Sequence, residues 1–357
     1  MIFFILVLLL IVFSSAQAAP ANTFQRDYLS KESCNAIKGI FVILILFSHG
    51  KSYITLGGIY DDPYTALQNH LNQMIVAMFF FYSGYGMMEQ IKGRGYGYVQ
   101  TIATKRFPRL LMNLDIAVLL FLITNIALGK HITPSRFLLA LVGWGSIGNS
   151  NWYIFDVLIL YLLCFIAFLP LKWRDRKDTQ LVGLTALTLL SVVFVYMLMK
   201  AGQSHWWYDT LILFSVGFWY SFFKGPLEKL LMKNDLLFSL AAGLVLVVYL
   251  FSFTRRWRGI EYYTVWALCF TALVVLFTMK IAVRSTVLRW FGEHVFSVYI
   301  IQRIPFMVFD SMPFFDQHKY MFLVISYAAT IPLAIMLDTV TGKLSGLIWR
   351  EKKAAAA

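Results

Sequence analysis

Apolar residues run along this chain in long blocks broken by short polar stretches. Blocks near 37–57, 70–90, 109–128, 152–170, 181–200, 207–223, 236–253, 262–280, 288–309 and 320–340 are each about as long as a helix needs to be to cross a membrane. A hydrocarbon layer of about 30 Å takes roughly 20 residues at 1.5 Å apiece. Within the blocks, apolar positions neither alternate nor gather on one stripe, which excludes a barrel of short alternating strands and fits helices surrounded by lipid and by one another. The pattern predicts an all-α fold, a polytopic membrane helix bundle of about ten transmembrane helices. A further apolar stretch, Met1 to about Phe13, precedes it as a hydrophobic leader. Between the third and fourth spans, Arg136 to Trp144 is apolar but too short to cross, and Gly143, Gly145, Gly148 and Asn149 follow. A re-entrant or interfacial helix is expected there.

Composition agrees: 59% of the residues are hydrophobic and 14% charged, which excludes a water-soluble globular protein. The formal net charge of +13 would suggest a nucleic-acid partner in a soluble protein. Here the basic residues cluster in alternate loops. With residues 20–36 cytoplasmic, the inner segments collect Lys92, Arg94, Lys105 and Arg106, then Lys172, Arg174, Arg176 and Lys177, then Lys224, Lys229 and Lys233, then Lys280, Arg284 and Arg289. That charge encodes orientation, with both ends of the bundle cytoplasmic, and no nucleic-acid partner is implied. Cys34, Cys164 and Cys269 are widely spaced and odd in number, so neither a disulfide framework nor a metal site is expected.

Ala16-Gln17-Ala18 ahead of Ala19-Pro20 is a small-residue pattern of the signal-peptidase kind, but no lysine or arginine precedes the apolar stretch. Cleavage would leave the new end outside and invert the charge pattern of ten spans, so an uncleaved extra helix is the favoured reading over a signal peptide. The expected organisation is a leader at 1–19, one transmembrane domain at 30–345 without internal repeat or linker, and a cytoplasmic tail at 346–357.

Lys38 and His49 open the candidate chemistry. Eleven helical positions carry about 20° beyond three full turns, so the two share a face about 16 Å apart. If Lys38 marks the cytoplasmic interface, His49 lies near the bilayer midplane, where an ionisable group is costly unless it serves a cavity or a partner. Two readings stand: a functional imidazole, or a structural one bonded to a neighbouring helix.

Lys38-Gly39, ten residues and His49 resemble the signature of the acyltransferase 3 family of integral membrane acyltransferases. Met78-Phe79-Phe80-Phe81-Tyr82-Ser83-Gly84-Tyr85 is similar to its Phe-Phe-x-x-Ser-Gly-Phe helix, and Lys105-Arg106-Phe107-Pro108-Arg109-Leu110 to its basic loop. Asn151-Trp152-Tyr153-Ile154 resembles its Trp-Tyr/Phe-Leu helix start, and Ser297-Val298-Tyr299-Ile300-Ile301-Gln302 its late Ser-x-Tyr-Leu-x-His element. Lys38 stands where an arginine is usual and Gln302 where a histidine is common. The resemblance implies transfer of an acyl group, acetyl or succinyl, from cytoplasmic acyl-CoA as co-substrate to a sugar hydroxyl of an envelope polysaccharide or glycolipid, in a bacterial inner or plasma membrane. It implies no bound cofactor.

The residues suit that chemistry. A hydroxyl attacking a thioester needs a base, and His49 is the best placed of six histidines, since His70, His131, His205 and His318 fall at the outer surface and His294 near the inner end of the ninth span. Lys38, Arg106 and Arg109 would meet the phosphates of acyl-CoA, or simply anchor the chain at the inner surface. Ser83 and Gly84 would leave room for the donor's arm, or let helices approach. Trp152, Tyr153, Asp156, Tyr299, Gln302 and Arg303 would line an acceptor site or cavity, with Asp156 or Asp310 as the expected partner of Arg303. Glu89 and Asp115 are further cavity candidates, and Arg255-Arg256-Trp257-Arg258 is an outer cluster suited to an acidic glycan, a lipid pyrophosphate or headgroups. A transporter or flippase for a lipid-linked sugar, and an inactive binding or sensor module, are the rival readings.

Overall fold

A computed structural model describes residues 1–349. Helices dominate: α1 Ile2–Ser14, α2 Lys31–Gly50, α3 Asp62–Leu71, α4 Met74–Thr101, α5 Phe107–Ala127, α6 Pro134–Leu141, α7 Trp152–Phe168 and α8 Lys177–Lys200. They are followed by α9 Leu213–Leu231, α10 Asp235–Arg255, α11 Ile260–Lys280, α12 Thr286–Glu293, α13 Val295–Ile301, α14 Arg303–Asp310 and α15 Lys319–Ile348. Each predicted span coincides with helix, and α6 is the short segment expected before the glycine-rich stretch. Seven continuous stretches are long and apolar enough to cross a membrane, one of them, 62–127, holding both α4 and α5. The proposed tail begins within α15, and the part from Arg350 on lies outside the described residues.

The ninth span is not the single helix the apolar run predicts. It is broken into α12, α13 and α14. Pro305 has no N–H to give the carbonyl of Ile301, and its ring crowds that carbonyl, so the hydrogen-bond ladder between α13 and α14 lapses at Gln302, which keeps helical backbone angles.

Chain contacts divide the protein into two units. The first comprises residues 1–45, 56–99 and 166–293, the second 46–55, 100–165 and 294–357. In the first, two glycine exchanges hold helices at backbone distance. A methyl built on Gly84 of α4 would lie 1.9 Å from the carbonyl oxygen of Phe214 in α9, and one on Gly217 of α9 would lie 2.2 Å from that of Phe81 in α4. Gly39 of α2 and Gly292 of α12 face the carbonyls of Leu288 and Asn35 in the same reciprocal way, each at 1.9 Å. Without a hydrophobic drive between helices in lipid, such close approach is a main source of packing energy.

The leader is bound at both ends within this unit. The Ile2 amide donates to the Tyr60 carbonyl at 2.9 Å. Beyond the other end, β1 (Ala16–Ala18) pairs antiparallel with β2 (Ile281–Val283), Gln17 opposite Ala282. The Ala-Gln-Ala stretch is thus a paired strand beside Lys280 and Arg284.

Replacing Gly217 by valine should lower stability by about 1–3 kcal/mol or more through overpacking. Valine at Gly243 of α10, where a side chain meets nothing within 4 Å, should leave the melting temperature near the parent's. Single-cysteine labelling of intact cells from outside should mark positions in 57–69 and 310–319 and spare 92–105 and 172–178. Labelling of those basic loops would overturn the orientation.

Candidate active site

The second unit gathers most of the sequence candidates around the broken span. His49 occupies the last turn of α2, its ring centre 6.1 Å from that of Tyr299. It is deeply surrounded by protein yet keeps some accessible surface, as a side chain bordering an internal space does. Its Nδ1 is buried without a hydrogen-bond partner among the described residues. A structural histidine bonded to a neighbouring helix through that nitrogen is therefore not what the geometry shows.

Tyr299 organises the surroundings. Its ring meets Tyr153 edge-on at 5.7 Å, and its hydroxyl donates to the Ser150 carbonyl at 2.8 Å. One turn on, the Gln302 amide nitrogen donates to the Tyr299 carbonyl at 2.9 Å, while its Oε1 is buried and unpartnered among the described residues. Arg303 opens α14, close enough for its charge to act on His49, Tyr299 and Tyr53.

The expected ion pair of Arg303 is not formed. Neither Asp156 nor Asp310 comes within 4 Å of the guanidinium, whose Nε is buried without a partner among the described residues. Asp156 is fully buried, both carboxylate oxygens unbonded, with Tyr153 and Tyr299 in electrostatic range. A guanidinium and a buried carboxyl group thus lie near Tyr299 without meeting.

The loop before α7 is built from amides and glycines. Asn151 donates to the carbonyls of Ala140 at 3.1 Å and Gly145 at 2.8 Å, and its side chain is also bonded to Asn149. Asn125 reaches in from α5 to the Ile147 carbonyl at 2.7 Å. Gly148 holds φ +118°, and a methyl on it would press to 2.7 Å of the Met307 sulfur. This bracing fixes the carbonyl that receives Tyr299, and it sets Trp152 edge-on to Tyr153 at 6.0 Å. The Asn-Trp-Tyr motif thus serves position as much as lining.

Sequence reasoning missed Asp338. It accepts from Ser297 Oγ through one oxygen and pairs with His294 Nδ1 through the other, tying α13 to α15. It is the sole acidic residue of that apolar helix, which was a legible signal. Tyr53, a wall of the space beside Arg303, carried no signal.

The candidates for the donor's phosphates are divided between the units. In the first, Lys38 is half-buried without an ion pair among the described residues, and Gly39 is occupied by the approach of α12. Gly84 is likewise filled by α9, so helix approach, rather than room for a donor arm, is its role here; Ser83 beside it is half-buried. Glu89 accepts from Lys92 and Ser221, both at 2.7 Å. In the second unit, Arg106 ends a wide π-type turn, 102–106, and Arg109 begins α5; both are exposed. Arg109 lies over the Trp349 ring at 5.8 Å. At the outer cluster, Arg256 donates to the Phe253 carbonyl at 2.6 Å and stacks on that ring at 3.9 Å, which makes it a helix-end fastening.

No curated protein and no solved structure gives a significant match. The family model described as an acyltransferase domain, acyltransferase 3, matches residues 32–339. That span takes in α2 with His49 at its end, the braced loop, the broken helix and Asp338. An apolar helical bundle with these residues at its interruption, matched over most of its length, belongs to the acyltransferase 3 family and is a membrane acyltransferase.

Proposed function

We propose that this acyltransferase takes an acyl group, acetyl or succinyl, from cytoplasmic acyl-CoA and delivers it to a sugar hydroxyl of an envelope polysaccharide or glycolipid. The membrane would be the bacterial inner or plasma membrane, with the basic loops and the C-terminal end on the cytoplasmic side. The observation that carries the reading is the His49 imidazole, enclosed, with an unbonded Nδ1, and within reach of the charge of Arg303.

In the proposed step, a neutral imidazole nitrogen of His49 takes the proton of the acceptor hydroxyl as its oxygen attacks the thioester carbonyl. The carbonyl electrons move to oxygen, and the guanidinium of Arg303 offsets that charge in a medium where water does little screening. Collapse breaks the C–S bond. The imidazolium returns its proton to the leaving thiolate, giving the ester, free CoA thiol and neutral His49. Arg106 and Arg109 meet the donor's phosphates through their forked donors, and Lys38, in the first unit, is a separate candidate as a point charge.

His49→Ala should lose at least about 10²-fold in transfer rate with expression, melting and acyl-CoA binding near the parent's. The parent rate should fall on acidification as the imidazole takes up its proton. A folded, CoA-binding, fully active variant would remove His49 from the mechanism.

Replacing Arg106 and Arg109 together should weaken acyl-CoA binding about tenfold to a hundredfold. A charge-assisted bond is worth about 1.5–3 kcal/mol, and exposure to solvent reduces that. Unchanged affinity in the folded double variant would return both arginines to anchoring.

A further inference from the structure

A cavity of about 340 Å³ opens at the end of the second unit beyond His49. Tyr53, Thr55, Asp310, Asp316, Gln317 and Lys319 contribute its polar wall, and Phe315 and Phe322 its apolar one. Its volume is at the low end of the usual range for small-molecule sites, enough for one sugar ring. The elements that meet here are the turn after α2, the end of α14 and the start of α15.

Three observations define what this cavity accepts. First, neither Asp310 nor Asp316 forms an ion pair among the described residues, so both carboxylates are available as hydrogen-bond acceptors. Second, the two carboxylates face one ammonium in the lining, that of Lys319, which donates to the Thr55 carbonyl at 3.2 Å, so the lining carries a negative balance. Third, the Tyr53 ring lies 5.3 Å from Phe306 and 6.3 Å from Phe322, giving an aromatic surface beside the polar wall. Carboxylates and an amide that read hydroxyls, with aromatic faces against C–H surfaces, suit a polyhydroxylated ring. The negative balance repels an anionic ring and attracts an amino-substituted one.

Tyr53 joins this cavity to the site. It is a wall of the cavity and also faces the guanidinium of Arg303, whose charge reaches His49. We infer that the cavity is the acceptor subsite and that it takes a neutral or amino-bearing sugar ring in preference to a uronic acid. This rests on the proposed transfer to a sugar hydroxyl and specifies where that sugar waits and what charge it carries.

The test is direct binding of three monosaccharides, glucosamine, methyl glucoside and glucuronate, to the full-length protein in detergent, followed by saturation-transfer NMR. Glucosamine should bind best and glucuronate least. The Asp310→Asn, Asp316→Asn double variant, altered only at exposed positions, should lose about tenfold in glucosamine affinity and narrow the gap to glucuronate. Asp316→Lys should reverse the order. Binding of none of the three sugars, preference for glucuronate in the parent, or affinities indifferent to the Asp310 and Asp316 variants would each overturn the inference. Acyl-CoA turnover by the same preparation is read separately. Charge-dependent sugar binding without any thioester turnover would sink the transferase mechanism and leave the subsite standing. Turnover with indifferent sugar binding would sink the subsite alone.

Discussion

A proline has no hydrogen to give, and inside a bilayer no water repairs the omission. Pro305 imposes this constraint on the ninth span, and the rest of the site follows from it. The hydrogen-bond ladder lapses at Gln302, whose side-chain amide donates to the Tyr299 carbonyl one turn back. Tyr299, Gln302 and Arg303 place a tyrosine, an amide and a guanidinium within about one turn around that lapse. Tyr299 is then held by a carbonyl of the braced loop, and Ser297 and His294 by Asp338. These fastenings come from the loop before α7 and from α15, and Gln302 itself keeps helical backbone angles, φ −54° and ψ −24°.

The charge of Arg303 has no ion pair among the described residues of this unit. Removing a charge from water costs several kcal/mol, and proteins usually recover part of that by pairing it. Arg303 and Asp156 lie on the same tyrosine's electrostatic horizon, yet they do not pair, and the His49 imidazole adds an unbonded nitrogen. Polar groups left unbonded in this way keep their hydrogen-bonding capacity in reserve. A bound molecule that carries or develops charge between them is stabilised more than it would be by a satisfied pair, which is the logic of a preorganised polar site.

The fold was largely legible because a bilayer allows few solutions: a run of about twenty apolar residues has to be helix, and loop lysines and arginines give its direction. The ninth run misled because hydropathy cannot register that Pro305 lies four residues after a carbonyl it cannot serve. His49 was legible as a lone imidazole in an apolar helix, and Tyr299, Tyr153 and Arg303 through motif and polarity. Their mutual arrangement was not, and the expected pairing of Arg303 with Asp156 or Asp310 failed because sequence gives span membership without rotation about the helix axis. Gly39 and Gly84 stood in motifs read as chemistry, but their partners, Gly292 and Gly217, lie in distant spans, and only the reciprocal contacts show that packing uses them.

One helix belongs to both units. The first fifteen residues of α2 pack with one and its last five with the other, and Lys38 and His49 fall on opposite sides of that division. Whatever the units do, the separation of those two side chains is set by helical rise, about 16 Å. The helix therefore acts as a caliper. Under the proposed function, a thioester whose arm matches that rise would be selected by reach, before any contact with the acyl group itself.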